Sequence, residues 1–380
     1  MRTRSQRPSS PSTQRPPLTK TVAPDRSVEL LNGGAEAFPK MLAAIAHARQ
    51  RIHLEVYTFE RDDVGVEFLG ALQSAARRGI RVRVVIDGWG SMFDAGQIVR
   101  ALRSAGCEAR IYNPLVNLFL GRGWRNHRKI LLVDDQLAYV GGINIGDEYA
   151  AQETGLGWAD LVVEIRGAAC TALVRRIWGD RIGLPARTDV RVLIPGLGGG
   201  RRLRRRYVKA IGRASKSVSL AHAYFLPDQR LVRSLTAAAR RGVRVLLLLA
   251  GRSDVPFARA ATRRLYRKLL AAGIQIYEWN DTVMHAKAVV IDERRMLIGS
   301  FNLDPLSLVN LEVLVDVDDP AVAARGEAWI TNHCRGSKKI TLEGSPRPGF
   351  RAWLLDGLGL LVARFAEAVA RFLAPRRISK

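Results

Sequence analysis

From Val28 onward the apolar positions fall into short blocks with two alternating periods. Phe38, Leu42, Ile45 and Ala46 recur at helical spacing, and Ile52 to Tyr57 then alternates as a half-buried strand does. The pattern next predicts a helix from Val64 to Arg78 ended by Gly79, a strand over Ile80 to Ile86, a helix near Ala95 to Ala105 and a strand at Ala109 to Tyr112. Continuous apolar runs at Ile130 to Val133 and Ala288 to Ile291 read as buried strands. Asp160 opens another at Leu161 to Ile165, followed by a helix to about Gly179. Strands alternating with helices predict an α/β sheet with helices on its faces.

The second part of the chain repeats the first. Arg77-Arg78-Gly79-Ile80-Arg81-Val82 is echoed by Arg240-Arg241-Gly242-Val243-Arg244-Val245, and Tyr57-Thr58-Phe59 loosely by Tyr224-Phe225-Leu226. Such self-similarity predicts duplication, with two like halves facing each other across one site. The expected divisions are a basic tail over 1–26, a first half over 27–185, a second half over 186–345 and a C-terminal segment over 346–380. The tail is rich in Arg, Ser, Pro and Thr and cannot bury enough surface to order itself. In the C-terminal segment Leu354, Leu358, Leu361, Phe365, Val369 and Phe372 line one helical face, opposite Asp356, Arg364, Glu367 and Arg371. That helix either docks on its own domain or lies in a bilayer surface. Pro195 to Gly200 is glycine-rich but lacks the Lys-Ser/Thr of a phosphate loop and is predicted to be a turn. Leu203 to Arg206 beyond it reads as a solvated helix face.

The repeat carries candidate chemistry. His127-Arg128-Lys129, then Asp134, Gly141 and Asn144, recurs with identical offsets as His285-Ala286-Lys287, Asp292, Gly299 and Asn302, in a chain with six histidines. On a strand, residues i and i+2 share a face, so His127 projects with Lys129 and His285 with Lys287. Asp134 and Asp292 belong to the same candidate catalytic set as His127, Lys129, His285 and Lys287. They lie an odd number of residues from their Lys and are expected to brace the strand end. An ammonium beside an imidazole repels a metal ion. The same pair suits an anion, with Lys neutralising a phosphate oxygen while His attacks phosphorus or delivers a proton.

His-x-Lys-x4-Asp-x6-Gly-Ser-x-Asn, present twice, resembles the signature of the phospholipase D superfamily, with Gly142 standing where the first copy would carry Ser. Gly141-Gly142-Ile143-Asn144 followed by Ile145-Gly146-Asp147-Glu148-Tyr149, together with Ala221 to Pro227 and Gly299 to Asp304, is similar to the bacterial cardiolipin synthase branch. The resemblance implies two similar α-β-α sandwich halves related by a pseudo-twofold. It implies a two-step reaction through a phosphohistidine, with His127 attacking and His285 serving as acid and base. Lys129, Lys287, Asn144, Asn302 and Ser300 would hold phosphoryl oxygens, and Asp160 and Glu312 would orient the histidines. The two lysines would take a metal's place, so neither metal nor cofactor is expected. The implied reaction transfers a phosphatidyl group between phosphatidylglycerol molecules, releasing glycerol. A phospholipid hydrolase, a nuclease and a nucleic-acid-binding module are the rival readings.

Charge and cysteines narrow the setting. The net charge of +25 favours polyanions, whether nucleic acid or an anionic phospholipid membrane surface. The apolar and basic stretch Asn113 to Asn126 is either a lipid-facing loop or a tucked-in core segment. No run of eighteen apolar residues is present, so peripheral attachment is expected. Three cysteines without disulfide or metal spacing suit a reducing compartment, hence the cytoplasmic side of the membrane. No obligatory protein partner is implied.

Overall fold

The structure, a computed structural model, describes residues 27–114, 116–119, 124–150, 157–180, 189–253 and 256–343. The tail expected over 1–26 and the helix expected at Phe350 to Leu373 lie outside these residues.

The first half runs β1 (Val28–Asn32), α1 (Gly33–His47), β2 (Arg51–Val56), α2 (Asp63–Arg77), β3 (Arg81–Asp87), α3 (Ala95–Ser104), β4 (Glu108–Tyr112), α4 (Val116–Phe119), β5 (Ile130–Val133), β6 (Leu137–Gly141), β7 (Leu161–Arg166) and α5 (Thr171–Trp178). The second runs β8 (Val190–Leu193), α6 (Gly200–Gly212), β9 (Ser217–His222), α7 (Gln229–Arg240), β10 (Arg244–Ala250), α8 (Pro256–Leu270), β11 (Gln275–Trp279), β12 (Lys287–Ile291), β13 (Arg295–Gly299), β14 (Leu314–Asp318), α9 (Pro320–Arg335) and β15 (Lys338–Ile340). The first sheet is ordered β1-β7-β6-β5-β2-β3-β4. Read from β8, the second is ordered β8-β14-β13-β12-β9-β10-β11, with β15 added at the far edge. In both, three parallel strands join an antiparallel set, so the duplication extends to every strand but one.

Alternation along the strands sorts the core into layers. Leu131 and Val133 of β5 pack with Ile45, Phe68, Leu72 and Leu102 of the outer helices, whereas Ile130 and Leu132 enter a central cluster. Val289 and Ile291 of β12 likewise face outward to α6 and α7, while Ala288 and Val290 join the same central cluster. A strand buried on both faces has no polar alternation to show, which explains the continuous apolar runs. The central cluster draws on both sheets and on α5 and α9, one inner helix for each half. Each fully buried aliphatic side chain there contributes about 1.5–3 kcal/mol, so the halves are stable as a pair. Gly326 lets α9 lie close, since a Cβ there would sit 2.9 Å from Met296 Sδ. Trp329 on the same helix donates to Asn32 Oδ1 of the first half at 2.7 Å.

Two local expectations change. Phe59 bridges Ile145 as Phe225 bridges Leu303, so Thr58 corresponds to Tyr224 and the echo read from Tyr57 is one residue out of register. On α6, Leu203 and Tyr207 are buried, and Arg204 and Arg206 pair with Asp228 and Asp316. The expected solvated face is therefore an ion-paired one.

Asp134 and Asp292 brace the hairpins β5–β6 and β12–β13. Each begins a pair of left-handed residues, Asp134-Asp135 and Asp292-Glu293. The Asp134 carboxylate accepts from the backbone N–H groups of Arg49, Gln50 and Arg51, and that of Asp292 from Ser215, Lys216 and Ser217. Burial works against ionisation of Asp292, but these N–H groups prevail and hold its pKa below the ordinary value. Asp292→Ala leaves them to water, and a loss of about 2 kcal/mol in chemical denaturation is expected, with substrate KM unchanged in the folded fraction.

Candidate active site

The parallel strands β2, β3, β4 and β9, β10, β11 end at one edge of the double sheet. The antiparallel strands β5 and β12 start there, because Ile130 pairs with Glu55 at the end of β2 and Lys287 with His222 at the end of β9. His127 and His285 precede those starts. Each catalytic segment then crosses to the opposite half. Asn126 forms a parallel bridge with Leu311 and Met284 with Ala159, so that His127 N–H donates to Leu311 O at 2.9 Å and His285 N–H to Ala159 O at 2.8 Å. The residues following Ala159 and Leu311 are Asp160 and Glu312.

The backbone crossing delivers each carboxylate to the other half's imidazole. His285 Nδ1 lies 2.7 Å from Asp160 Oδ2, and His127 Nδ1 lies 3.2 Å from Glu312 Oε2 and 3.1 Å from Ser300 O. A carbonyl oxygen only accepts, so His127 carries its proton on Nδ1 and keeps the Nε2 lone pair free. His285 differs: its Nδ1 faces the Asp160 acceptor and also the Lys287 ammonium at 3.0 Å. At 2.7 Å a carboxylate oxygen only accepts, so Nδ1–H donates to Asp160, which supports the ring when Nε2 also carries a proton, while the nearby ammonium opposes that second proton.

Lys129 and Lys287 each fold back onto the carbonyl oxygen of their own histidine. All four side chains are largely buried, and the electrostatics follow from that. Burial, reinforced by Lys129 and Lys287, holds the pKa of His127 well below its ordinary value. Burial and Lys287 push His285 down to about 4 against the pull of Asp160. Burial and the charge of Lys287 also hold Lys129 well below a normal ammonium. Burial raises Glu312 to about 8, opposed by the Ser300 hydroxyl and Lys129. That balance of cations under little solvent is relieved by an incoming anion.

The other predicted residues divide. Asp134 and Asp292 stand at the far ends of β5 and β12 from the histidines, so their place in the catalytic set is corrected to that of hairpin braces. Ser300 was expected at a phosphoryl oxygen. Its hydroxyl instead donates to Glu312 Oε2 and accepts from Val313 N–H, which makes it the support of the carboxylate behind His127. Gly142 is the matching position in the first half. A Cβ there would lie 2.3 Å from Asp160 Oδ2, so the absent hydroxyl leaves space that Asp160 fills. Asn144 also bonds inward, accepting from Thr58 N–H at 3.1 Å and donating to Tyr149 OH at 2.7 Å. Asn302 is buried with its Oδ1 unpartnered.

Several contributors carry no signal in the motif. The ring of Tyr57 lies 5.0 Å from His127, and Tyr149 and Trp158 lie 5.4 and 5.5 Å from His285, forming an aromatic wall. Arg128, between His127 and Lys129, turns to the opposite side and reaches Glu312 O at 3.3 Å, Pro195 O at 2.5 Å and Glu55 Oε2 at 3.4 Å. Burial opposes ionisation of Glu55, yet His53, Arg128 and Asn126 hold its carboxyl down to about 2. Arg128 thereby anchors the backbone that presents Glu312. Its counterpart Ala286 has no such side chain, and its own N–H bonds Ala159 O at 3.0 Å. For a metal, Glu60, Asp62 and Glu148 are the described residues whose carboxylates gather, within 4.8 Å of one another, and they are exposed or half-exposed.

Two outcomes are expected. Arg128→Met strands Glu55 in the interior and lowers stability by about 3–5 kcal/mol, while adding Glu55→Gln restores part of it, as a double-mutant denaturation cycle will show. Because the histidines and Lys129 titrate below their ordinary values, binding of inorganic phosphate near neutral pH draws protons in. Calorimetry in buffers of different ionisation enthalpy measures that uptake.

Comparison with known proteins agrees with this geometry. A family model described as "Cardiolipin synthase, PLD-like domain" matches residues 41–161 and 207–334, which include both histidines. Cardiolipin synthase B of Escherichia coli (strain K12) is 33% identical over 315 residues, covering 77% of this chain and 76% of the relative. Cardiolipin synthase 2 of Staphylococcus epidermidis is 28% identical over 376 residues, covering 92% of this chain and 74% of the relative. Among solved structures, phosphatidylserine synthase of Haemophilus influenzae Rd KW20 superposes with a TM-score of 0.73 at 16% identity, covering 92% of this chain and 95% of that one, which is a likeness of fold. With the duplicated motif, the doubled sheet and these matches together, the chain belongs to the cardiolipin synthase family of phospholipase D-like proteins.

Proposed function

We propose that this protein is a phosphatidyltransferase that makes cardiolipin from two molecules of phosphatidylglycerol through a phosphohistidine. The observation that carries the reading is the reciprocal pairing of His127 with Glu312 and of His285 with Asp160, beside two buried lysines. In the first step His127 Nε2 attacks phosphorus. The bond from phosphorus to the glycerol oxygen breaks, and glycerol leaves with a proton from His285 Nε2. In the second step His285 takes a proton from a glycerol hydroxyl of the second phosphatidylglycerol. The resulting oxygen attacks phosphorus and the P–N bond breaks, leaving cardiolipin and both imidazoles in their starting forms.

Lys129 and Lys287, with the amide of Asn302, stabilise the phosphoryl oxygens as charge develops. Anion binding offsets the two ammonium charges and lifts His285 from about 4 toward the range where it holds the proton it must deliver. The enzyme works at the surface of an anionic phospholipid membrane, on the cytoplasmic side, with its catalytic halves over 27–185 and 186–345. No helix among the described residues is long and apolar enough to cross a membrane. The three cysteines are buried and free, which fits a reducing compartment.

The test incubates the protein with phosphatidylglycerol vesicles and identifies products by mass. Cardiolipin with equimolar glycerol is expected, and phosphatidic acid as the main product would instead make the protein a hydrolase. His127→Ala should abolish turnover. His285→Ala should lower it by about 10²–10⁴-fold, the usual weight of a general acid.

A further inference from the structure

Eight large apolar side chains are exposed among the described residues, and seven of them stand at the catalytic edge: Val66, Trp89, Met92, Phe93, Val116, Leu197 and Leu306. Trp89 to Phe93 follow the carboxyl end of β3, and Val116 follows β4. Leu197 follows β8, whose end pairs with the start of β14, and Leu306 lies in the turn between β13 and β14. Val66 is on the first turn of α2, after the carboxyl end of β2, and Leu342 lies past β15 at the opposite edge. Scattered exposed apolar residues are ordinary, whereas a set gathered round the mouth of a site marks a contact surface.

The loop after β3 is fixed to the active site and presents its tip outward. The buried Asp87 accepts from the N–H groups of Trp89 and Gly90 through Oδ1, and through Oδ2 from Asn126, the neighbour of His127. Ser91 Oγ donates to Tyr57 O, behind the ring that packs on His127, and accepts from Phe59 N–H. Phe93 at the tip is 85% exposed, the highest value in the set. The Arg125 guanidinium lies 4.7 Å over the Trp89 ring, and Arg201, Arg202 and Arg252 are exposed on loops and a helix start at the same edge. Apolar tips backed by guanidinium groups match a bilayer, where the tips enter the acyl boundary and the cations meet anionic headgroups.

We propose that this edge docks on an anionic phospholipid bilayer, with the Trp89–Phe93 loop as the element that enters it. The inference rests on the phospholipid reading above and adds the orientation. The molecule stands with its catalytic edge down, so a headgroup reaches the histidines while the acyl chains stay in the membrane.

The test compares wild type with Met92→Ser plus Phe93→Ser, and with Leu342→Ser as a control, by sedimentation with phosphatidylglycerol/phosphatidylcholine vesicles and with phosphatidylcholine alone. The double variant, exposed at both positions, should melt as wild type does. It is expected to bind the anionic vesicles roughly tenfold or more weakly, with Leu342→Ser unchanged. Turnover of short-chain phosphatidylglycerol below its micelle concentration should be unaffected. Unchanged vesicle affinity in the double variant, or no binding by wild type, overturns the proposal. So does gel filtration in which the substitutions break a dimer while vesicle affinity holds, because a second copy then covers the patch. Wild type that binds vesicles through this loop but converts no phospholipid in either form would sink the functional reading and leave the docking surface standing.

Discussion

His127 and His285 are each positioned by a carboxylate from the other half, and the rest of the architecture serves that crossing. The two carboxylates arrive on backbone segments that bridge the halves, at Asn126–Leu311 and Met284–Ala159. Neither half alone supplies both members of the His127 or the His285 pair. The central apolar cluster, fed by both sheets and by α5 and α9, keeps the bridging segments in register. A shift between the halves would break both pairs at once.

Within that symmetric frame the halves have diverged where the chemistry differs. Ser300 with Glu312 and Gly142 with Asp160 are two ways to fill one space. The longer carboxylate is steadied by a hydroxyl, and the shorter one occupies the room the hydroxyl would need. Arg128 anchors the Glu312 backbone, while Ala286 leaves the equivalent task to main-chain bonds. The surroundings of the rings differ correspondingly. His127 Nδ1 meets acceptors, and His285 Nδ1 meets an acceptor and an ammonium. Duplication alone predicts two equal histidines. These contacts give them different electrostatic surroundings, with the ammonium of Lys287 beside one ring's Nδ1 and a carbonyl oxygen beside the other's.

The edge that holds the histidines also gathers most of the exposed apolar side chains. Both follow from the strand polarity. Loops leaving the ends of parallel strands are free of the ladder and can carry function, while the opposite edge is closed by hairpins such as those braced by Asp134 and Asp292. Asp87 and Ser91 link the two roles, holding the β3 loop and the residues around His127 in one hydrogen-bonded unit.

The sequence by itself determined the strand and helix order, the duplication and the His-Lys pairs, because periodicity and spacing are local properties of a chain. It also marked Asp134 and Asp292 as strand-end braces, since an odd offset turns a side chain off the Lys face. Only the tertiary structure decided that Glu312 serves His127 and Asp160 serves His285, for no local rule says which half a carboxylate crosses to. The internal role of the Ser300 hydroxyl, the anchoring by Arg128 and the aromatic wall of Tyr57, Tyr149 and Trp158 were equally out of reach. Each depends on groups far apart in the chain meeting where two sheets come together, a geometry that packing sets and spacing does not encode.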